Sequence, residues 1–365
     1  MNTAQKESRR ALPIFGRPSS KRDQIIAIDL GSRTTKAVHV QRSGETLNLL
    51  RYAIQDAPIY EKAPSPELLG EHLRAITQQL EAKTKLVTLV VSTADSILRH
   101  AELPQIPRAE MRLMLKFNTK TYLQQELPDH VFDCFILPSH EEAKPEPGKA
   151  LKNKVWVGGA KNQFVADLQK AARLAGLIPD QVTLSALGPI NAFEKARPES
   201  FQREIVALVD IGFKSTTINI LMFGELALNR VVALGGDRIT TGLSEALAIS
   251  YAEAEGIKIG MPTEVESSLL PLLLPLGREL RASMDFFEHQ HEKVISQVFI
   301  SGGGGRSDYL IQHLQTELLV PCANWNPASF LTSALPPQQV GELEQLSPQL
   351  AVALSAAAMA MQNEG

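Results

Sequence analysis

Two segments of this chain place an aspartate just before a glycine-containing polar turn. Asp29-Leu30-Gly31-Ser32-Arg33-Thr34-Thr35-Lys36 follows the apolar run IIAI, and Asp210-Ile211-Gly212-Phe213-Lys214-Ser215-Thr216 follows IVALV. The glycine lets the backbone turn sharply with its amides pointing outward. Successive amides of this kind form a concave anion site, to which Ser and Thr hydroxyls add donors. A carboxylate beside a polyphosphate is repelled unless a cation intervenes. Mg²⁺ suits that position, because it keeps several waters and takes one or two carboxylates plus phosphate oxygens. The two turns therefore predict two phosphate clamps, with Asp29 and Asp210 around one hydrated metal.

The elements around the turns repeat as well. Residues 25–54 read as strand, turn, strand, Gly turn, strand, and the pattern restarts at Glu204. Superposed, Asp210 falls on Asp29, Gly212 on Gly31, Lys214 on Arg33 and Ser215-Thr216 on Thr34-Thr35, with Gly224-Glu225 one residue out of step with Gly44-Glu45. A single copy would be an ordinary hairpin corner. An internal duplication makes the pair a site. A third glycine element, QVFISGGGGRSDYLIQHL, reads as strand, glycine run and helix. Its spacing fails the dinucleotide fingerprint, since Ser307 holds the last Gly position. Gly302, Gly303 and Gly304 instead let backbone lie flat against a ligand at a helix N-terminus. Glu255 and Lys258 stand three apart on one helical face, so both can reach one ligand.

Between the copies, Pro66 opens an amphipathic helix to Ala82, and LVTLVV is a strand. Residues 98–182 read as a compact unit: a helix from Arg108 to Gln125, strand VFDCFIL, an exposed proline-containing loop over 138–154, strand VWVGGA and a helix from Asn162 to Ala175. Residues 1–23 form a basic tail around Leu12–Phe15, suited to weak contact with anionic lipid. The expected organisation is a tail at 1–23, a first lobe at 24–97 and 183–203, an inserted subdomain at 98–182 and a second lobe at 204–365. The 365 residues suit two domains, and a net charge of −3 gives no reason to expect a nucleic-acid partner. Two cysteines, Cys134 and Cys322, exclude a disulfide framework or thiolate metal site and suit a reducing cytoplasm. No stretch reaches the ~20 apolar residues of a membrane helix. The arginine-bearing N-terminus has no apolar signal core, so a cytoplasmic location is expected.

IAIDLGSRTTKAV, LVDIGFKSTTINIL and VFISGGGGRSDYL, in that order, resemble the phosphate-one, phosphate-two and adenosine motifs of the actin-like ATPase superfamily. LGGDRITTGLSEALAISYAEAEGIKIG narrows the likeness to PilM-like proteins and their FtsA relatives, through GGD-x-IT followed by AE-x-x-K. ILRHAELPQIPRAEM and the segment ending in AGLIPDQV also look like PilM, and the likeness runs from Gln24 to the C-terminal helix. The resemblance implies an actin-like ATPase fold of duplicated ribonuclease H-like lobes, with a small extra α/β subdomain in the first lobe. It implies ATP or ADP with Mg²⁺ in the cleft, with Gly235, Gly236, Glu255 and Lys258 at the ribose and base. It further implies a cytoplasmic scaffold of a type IV pilus or related secretion platform, peripheral to the inner membrane. Such a scaffold binds the cytoplasmic N-terminal tail of a single-span inner-membrane protein, with homo-oligomers possible within the superfamily. The helix around Met111, Leu115 and Tyr122 and the turn Pro104–Pro107 are the candidate surfaces for that tail.

The chain departs from the pattern at Phe213 and Lys214, where small residues are usual, and at Arg306-Ser307-Asp308. With Pro189 and Asn191 in the connecting segment, no residue stands out to position an attacking water, so slow hydrolysis at most is expected. An FtsA-like membrane-tethered filament is the alternative, disfavoured because the sequence stops at Gln362–Gly365 without an amphipathic anchor. A small-molecule kinase would need a general base in the cleft, and none presents itself: His39 reads as a solvent-facing strand residue, and His289 and His291 as exposed helix residues.

Overall fold

The computed structural model describes residues 23–58, 64–137 and 151–362, with the backbone of Phe15–Gly16. Two compact units form, one from the described residues of 1–30, 35–185 and 356–365, the other from 31–34 and 186–355.

The first unit is built on a β-meander: β2 (Gln24–Leu30), β3 (Thr34–Ser43) and β4 (Thr46–Asp56). Gly44, at φ 63, makes the tight turn between β3 and β4. The chain then crosses over through α1 (Pro66–Gln79) to β5 (Leu86–Val91), which runs parallel to β2. Helix α1 starts where the sequence dictates. The Ser65 side chain caps the Leu68 amide, Pro66 sits in the first turn, and Leu69, Leu73 and Ile76 face inward.

Next comes a separate antiparallel sheet of β6 (Ser96–Pro104), β7 (His130–Ile136) and β8 (Lys152–Lys161), in the order β6-β8-β7. Helices α2 (Arg108–Phe117) and α3 (Thr119–Leu123) precede β7. The expected single helix is thus broken at Asn118, whose ψ of 36 and φ of −132 leave the helical region. The subdomain also ends earlier than expected. Helix α4 (Asn162–Leu174) packs on α1, and β9 (Ile178–Leu184) pairs parallel with β5 in the main sheet. The small unit is therefore 96–161, not 98–182, because the apolar face of α4 and the β-branched run of β9 are buried in the main sheet layer. The loop expected over 138–154 falls largely outside the described residues, and its last three residues belong to β8. Of the tail, β1 (Phe15–Gly16) pairs antiparallel with Val182 and Gln181; apart from Asp23, the rest lies outside the described residues.

In the small unit, Met111, Leu115, Leu103, Phe132, Cys134, Val155 and Val157 form one core. Burial pushes the Cys134 thiol up to about 12, so it is an inert filler. Asp133 on the edge strand β7 is fully buried, and Arg112 binds its Oδ1 at 2.8 Å while Oδ2 has no partner. Burial raises the Asp133 pKa, and Arg112 only partly offsets it. A raised carboxyl pKa means that stability falls as pH rises from the unfolded value through the folded one. Arg112→Gln removes the offset and should cost about 2–3 kcal/mol at pH 7.5, where a buried carboxylate is stranded. The cost should shrink towards pH 4, where the carboxyl protonates; urea melts at both pH values measure this, and a pH-independent loss would contradict it.

The second unit repeats the plan. Strands β10 (Ile205–Ile211), β11 (Thr216–Met222) and β12 (Glu225–Val232) form a meander; β13 (Gln297–Gly302) and β14 (Cys322–Asn324) add in parallel, giving the order β12-β11-β10-β13-β14. The first unit's matching order is β4-β3-β2-β5-β9. Helices α5 (Gly188–Ala196) and α6 (Pro198–Arg203) lead into β10 and fall in the second unit, although residues 183–203 were expected in the first lobe. Ala192 and Phe193 are buried there, Phe193 against Phe299 and Trp325. The crossover from β12 runs through α7 (Gly236–Leu247), α8 (Tyr251–Gly260) and α9 (Glu266–His291). Leu269, Leu273, Leu276, Leu280, Met284 and Phe287 of α9 close the core. After β13 come α10 (Asp308–Leu318) and α11 (Pro337–Gln362). Among the described residues no helix is long and apolar enough to cross a membrane.

Candidate functional site

The turn after β10 is assembled from backbone. The Gly212 amide donates to the Ser215 carbonyl at 3.0 Å, and the Thr216 hydroxyl donates to the Leu234 carbonyl at 2.6 Å. The start of α7 docks onto this turn, with the Gly236 amide on the Gly212 carbonyl at 3.0 Å and the Asp237 amide on the Phe213 carbonyl at 2.9 Å. These helix-start amides are thus used internally. A Cβ on Gly235 would lie 2.3 Å from the Phe213 carbonyl oxygen, so glycine is required there by the docking itself.

The glycine run meets the same turn. Ser301 sits opposite Asp210 in register, and its hydroxyl donates to Asp210 Oδ1 at 2.8 Å. Gly302, at φ 78, brings its Cα so close that a Cβ would lie 2.5 Å from the Ile211 carbonyl oxygen. A Cβ on Gly304 would run into the Ile211 side chain at 2.6 Å, whereas one on Gly303 would meet nothing within 4 Å. Packing explains Gly302 and Gly304. Gly303 faces open space. The run forms a short 3-10 turn (Gly303–Arg306) before α10, which Ser307 caps through the Leu310 amide.

Glu255 and Lys258 lie on α8, whose start is fixed by a reciprocal Ser250–Glu253 capping box. Lys258 Nζ is 2.6 Å from Glu255 Oε2, 2.6 Å from the Thr240 hydroxyl and 3.5 Å from the Gly236 carbonyl. Burial pushes the Glu255 carboxyl up, but hydrogen bonds from Lys258 and Thr240 overcome it and hold the carboxyl below its ordinary range. A depressed carboxyl pKa contributes stability above the unfolded value that is lost as pH falls through the folded one. Thr240→Val should therefore raise the pH at which the α7–α8 corner loosens in acid, as read by hydrogen exchange of the Glu255–Lys258 amides; an unmoved midpoint would contradict it.

In the first copy, Asp29 is buried opposite Lys36 in register, with Lys36 Nζ 3.4 Å from Oδ2. Thr35 is buried and bonded to His72 of α1 at 2.8 Å. The equivalent of Lys36 in the second copy is Thr217, since Asp210 pairs in register with Thr217. Gly31, Ser32, Arg33 and Thr34 belong to the second unit, where Arg33 lies over the rings of Phe213 and Tyr251 at 5.2 and 5.9 Å. Lys214 is engaged in an ion pair. Its Nζ is 2.6 Å from Asp237 Oδ2, while Tyr251 donates to Asp237 Oδ1 at 3.0 Å. Burial, then the Asp237 bond, raises the Tyr251 pKa to about 12, so the phenol stays a donor.

The sequence matches the family of type IV pilus assembly protein PilM over residues 27–363. The chain belongs to the PilM family. A PilM–PilN type IV pilus biogenesis complex contains a chain of the same fold, at TM-score 0.81 and 23% identity, covering 94% of this chain and 99% of that one. MreB 5 of Spiroplasma citri, solved bound to AMPPNP, superposes at TM-score 0.50 and 10% identity over 92% of this chain and 95% of that one. Cell division protein FtsA of Neisseria meningitidis serogroup B is 25% identical over 248 residues, 65% of this chain and 55% of that protein. The chain thus spans about half the length of the curated relatives it matches. The actin-like ATPase fold expected of a PilM-like protein is the fold observed.

Other placements differ from the sequence reading. His39 is buried rather than solvent-facing, bonded to Gln24 at 2.9 Å, and burial, then Arg51, lowers its pKa. Met111 and Leu115, offered as a docking face, are fully buried core residues; the exposed large apolar residues of α2 are Leu113 and Phe117. Thr240, Tyr251 and Asp237 join the site without having been singled out. Asp237 and Thr240 were legible within GGD-x-IT, while Tyr251 carries no local signal beyond following the Ser250 cap. No group of three or more His, Cys, Asp or Glu among the described residues could hold a metal alone. Asp29 and Asp210 are single carboxylates, one in each unit, with Lys36 beside the first and the Ser301 hydroxyl on the second.

Proposed function

We propose that this PilM-family chain is an ATP-binding cytoplasmic scaffold that holds the tail of an inner-membrane partner at a type IV pilus assembly platform. The nucleotide half rests on one observation: Gly303 leaves space that no packing demands, directly after Gly302, where a Cβ would lie 3.0 Å from Asp210 Oδ1. Gly31, Ser32 and Thr34 with Gly212, Ser215 and Thr216 are the proposed phosphate contacts, Asp29 and Asp210 the carboxylates for Mg²⁺, and Glu255 and Lys258 the groups for ribose and base. Bound Mg²⁺ would supply charge neutralisation for the phosphates. That the MreB neighbour was solved with AMPPNP supports this reading. The test is a melting scan with and without MgATP, and an unchanged transition would refute it. Phosphate release should stay well below the ~10 s⁻¹ of a median enzyme, because Phe213 and Lys214 stand where small residues are usual in the second turn.

The partner half rests on family membership and on a neighbour solved as a PilM–PilN complex. With Met111 and Leu115 in the core, Leu113 and Phe117 are the apolar groups that α2 offers a peptide, at 59% and 72% exposure. Titration of a PilN-type cytoplasmic tail should give a Kd at least tenfold weaker for Phe117→Glu than for the parent. Equal affinities would place the partner elsewhere.

A further inference from the structure

The duplication puts a cation at the same place in each turn, Arg33 in the first and Lys214 in the second, and the structure treats the two oppositely. Lys214 is neutralised by Asp237 at 2.6 Å, and Asp237 is itself held by Tyr251. Arg33 has no carboxylate within ion-pair distance among the described residues. The acidic groups nearest its electrostatic reach, Asp237 and Glu255, are already bound by Lys214 and Lys258. Its guanidinium lies over Phe213 at 5.2 Å, a ring that Lys214 Nζ shares at 5.2 Å, and near Tyr251 at 5.9 Å; what separates the two cations is the carboxylate that only Lys214 holds. An aromatic face holds a guanidinium without cancelling its charge, and leaves the N–H edge free for a bidentate acceptor. All seven residues lie in the second unit.

We infer that Arg33, shelved on Phe213 and Tyr251, is the residue that reads the terminal phosphate of a polyphosphate ligand, while Lys214 is withdrawn from it. Phe213 and Lys214 then acquire a joint explanation. The ring carries the arginine, and the lysine fixes Asp237, which fixes the Tyr251 ring beside it. Arg33 contacts the ligand; Phe213 and Lys214 are positioning residues. The inference rests on the proposed nucleotide site and deepens it, from a ligand class to the group that separates triphosphate from diphosphate.

Calorimetry of the full chain with MgATP, MgADP, inorganic tripolyphosphate and pyrophosphate tests it. In the parent the longer anion of each pair should bind tighter. Arg33→Gln should weaken ATP and tripolyphosphate at least tenfold and ADP and pyrophosphate less than threefold. Arg33→Lys should restore only part of the difference, because it keeps the charge but loses the fork. Phe213→Leu should cut the ATP-to-ADP preference by removing the shelf, and Lys214→Gln should cut it too, by freeing Asp237 to draw on Arg33. Equal losses for long and short anions in Arg33→Gln, with ATP still binding the parent, would overturn the inference and leave the nucleotide reading standing. Tripolyphosphate binding that depends on Arg33 without ATP binding would do the reverse. Failure of the parent to bind any of the four overturns both.

Discussion

Gly303→Ala should melt within about 1 °C of the parent yet bind nucleotide at least tenfold more weakly, whereas Gly235→Ala should lose stability outright. The contrast follows from what a Cβ would meet. At Gly303 it meets nothing within 4 Å, so the folded chain is indifferent to a methyl and only an occupant of that space is displaced. At Gly235 it lands 2.3 Å from the Phe213 carbonyl oxygen and 2.6 Å from its carbon. That obstacle is backbone, fixed by the Asp237 amide bond, and cannot turn aside as a side-chain end could. Overpacking of this kind costs about 3 kcal/mol, the upper part of the usual range, or several degrees in melting temperature. Should Gly303→Ala melt as low as Gly235→Ala, the glycine run is structural throughout; should it bind ATP like the parent, the open space is not the nucleoside's.

The periodic features of the fold could be read from sequence because they repeat. The meander of β2–β4 and that of β10–β12 share one hydrophobic pattern, and the superposition of Asp210 on Asp29 is matched by in-register pairing of Leu30 with Thr35 and Ile211 with Thr216. What could not be read depends on partners distant in the chain. The strand alternation around His39 does not reveal that Gln24, two residues along the neighbouring strand from its register partner Ile26, accepts its bond. The stripe of Met111 and Leu115 is apolar whether it awaits a peptide or covers a sheet, and only the small sheet's Leu103, Cys134 and Val155 decide for the sheet.

The site shows the same division. Glycines announce themselves, but their reasons do not: Gly235, Gly302 and Gly304 relieve backbone and side-chain collisions, and Gly303 alone of the run's first three opens space. Likewise Arg33 and Lys214 look interchangeable in the duplicated turn. Only the position of Asp237, 23 residues after Lys214, separates a neutralised cation from an available one.

Replacing either site aspartate by asparagine should remove the Mg²⁺-dependent part of ATP stabilisation, with unequal costs to the unliganded chain. A ligand at ~1,000 times its Kd stabilises the folded state by about 4 kcal/mol, so the lost shift in melting temperature is readily measured. Asp210→Asn keeps the shape and the acceptor for the Ser301 hydroxyl, which bonds Oδ1 at 2.8 Å; the unliganded protein should melt close to the parent. Asp29→Asn instead withdraws the charge opposite Lys36, whose side chain is only 15% exposed, and leaves that ammonium without this partner. Its unliganded form should melt lower, and Lys36→Met should recover part of the loss, because the stranded cation is then gone. In excess EDTA the parent should show the same small ATP shift as Asp210→Asn in Mg²⁺. If both asparagine variants keep the full Mg²⁺-dependent shift, the metal is held elsewhere. If only Asp29→Asn loses it, the duplication has preserved the second carboxylate for the Ser301 bond alone.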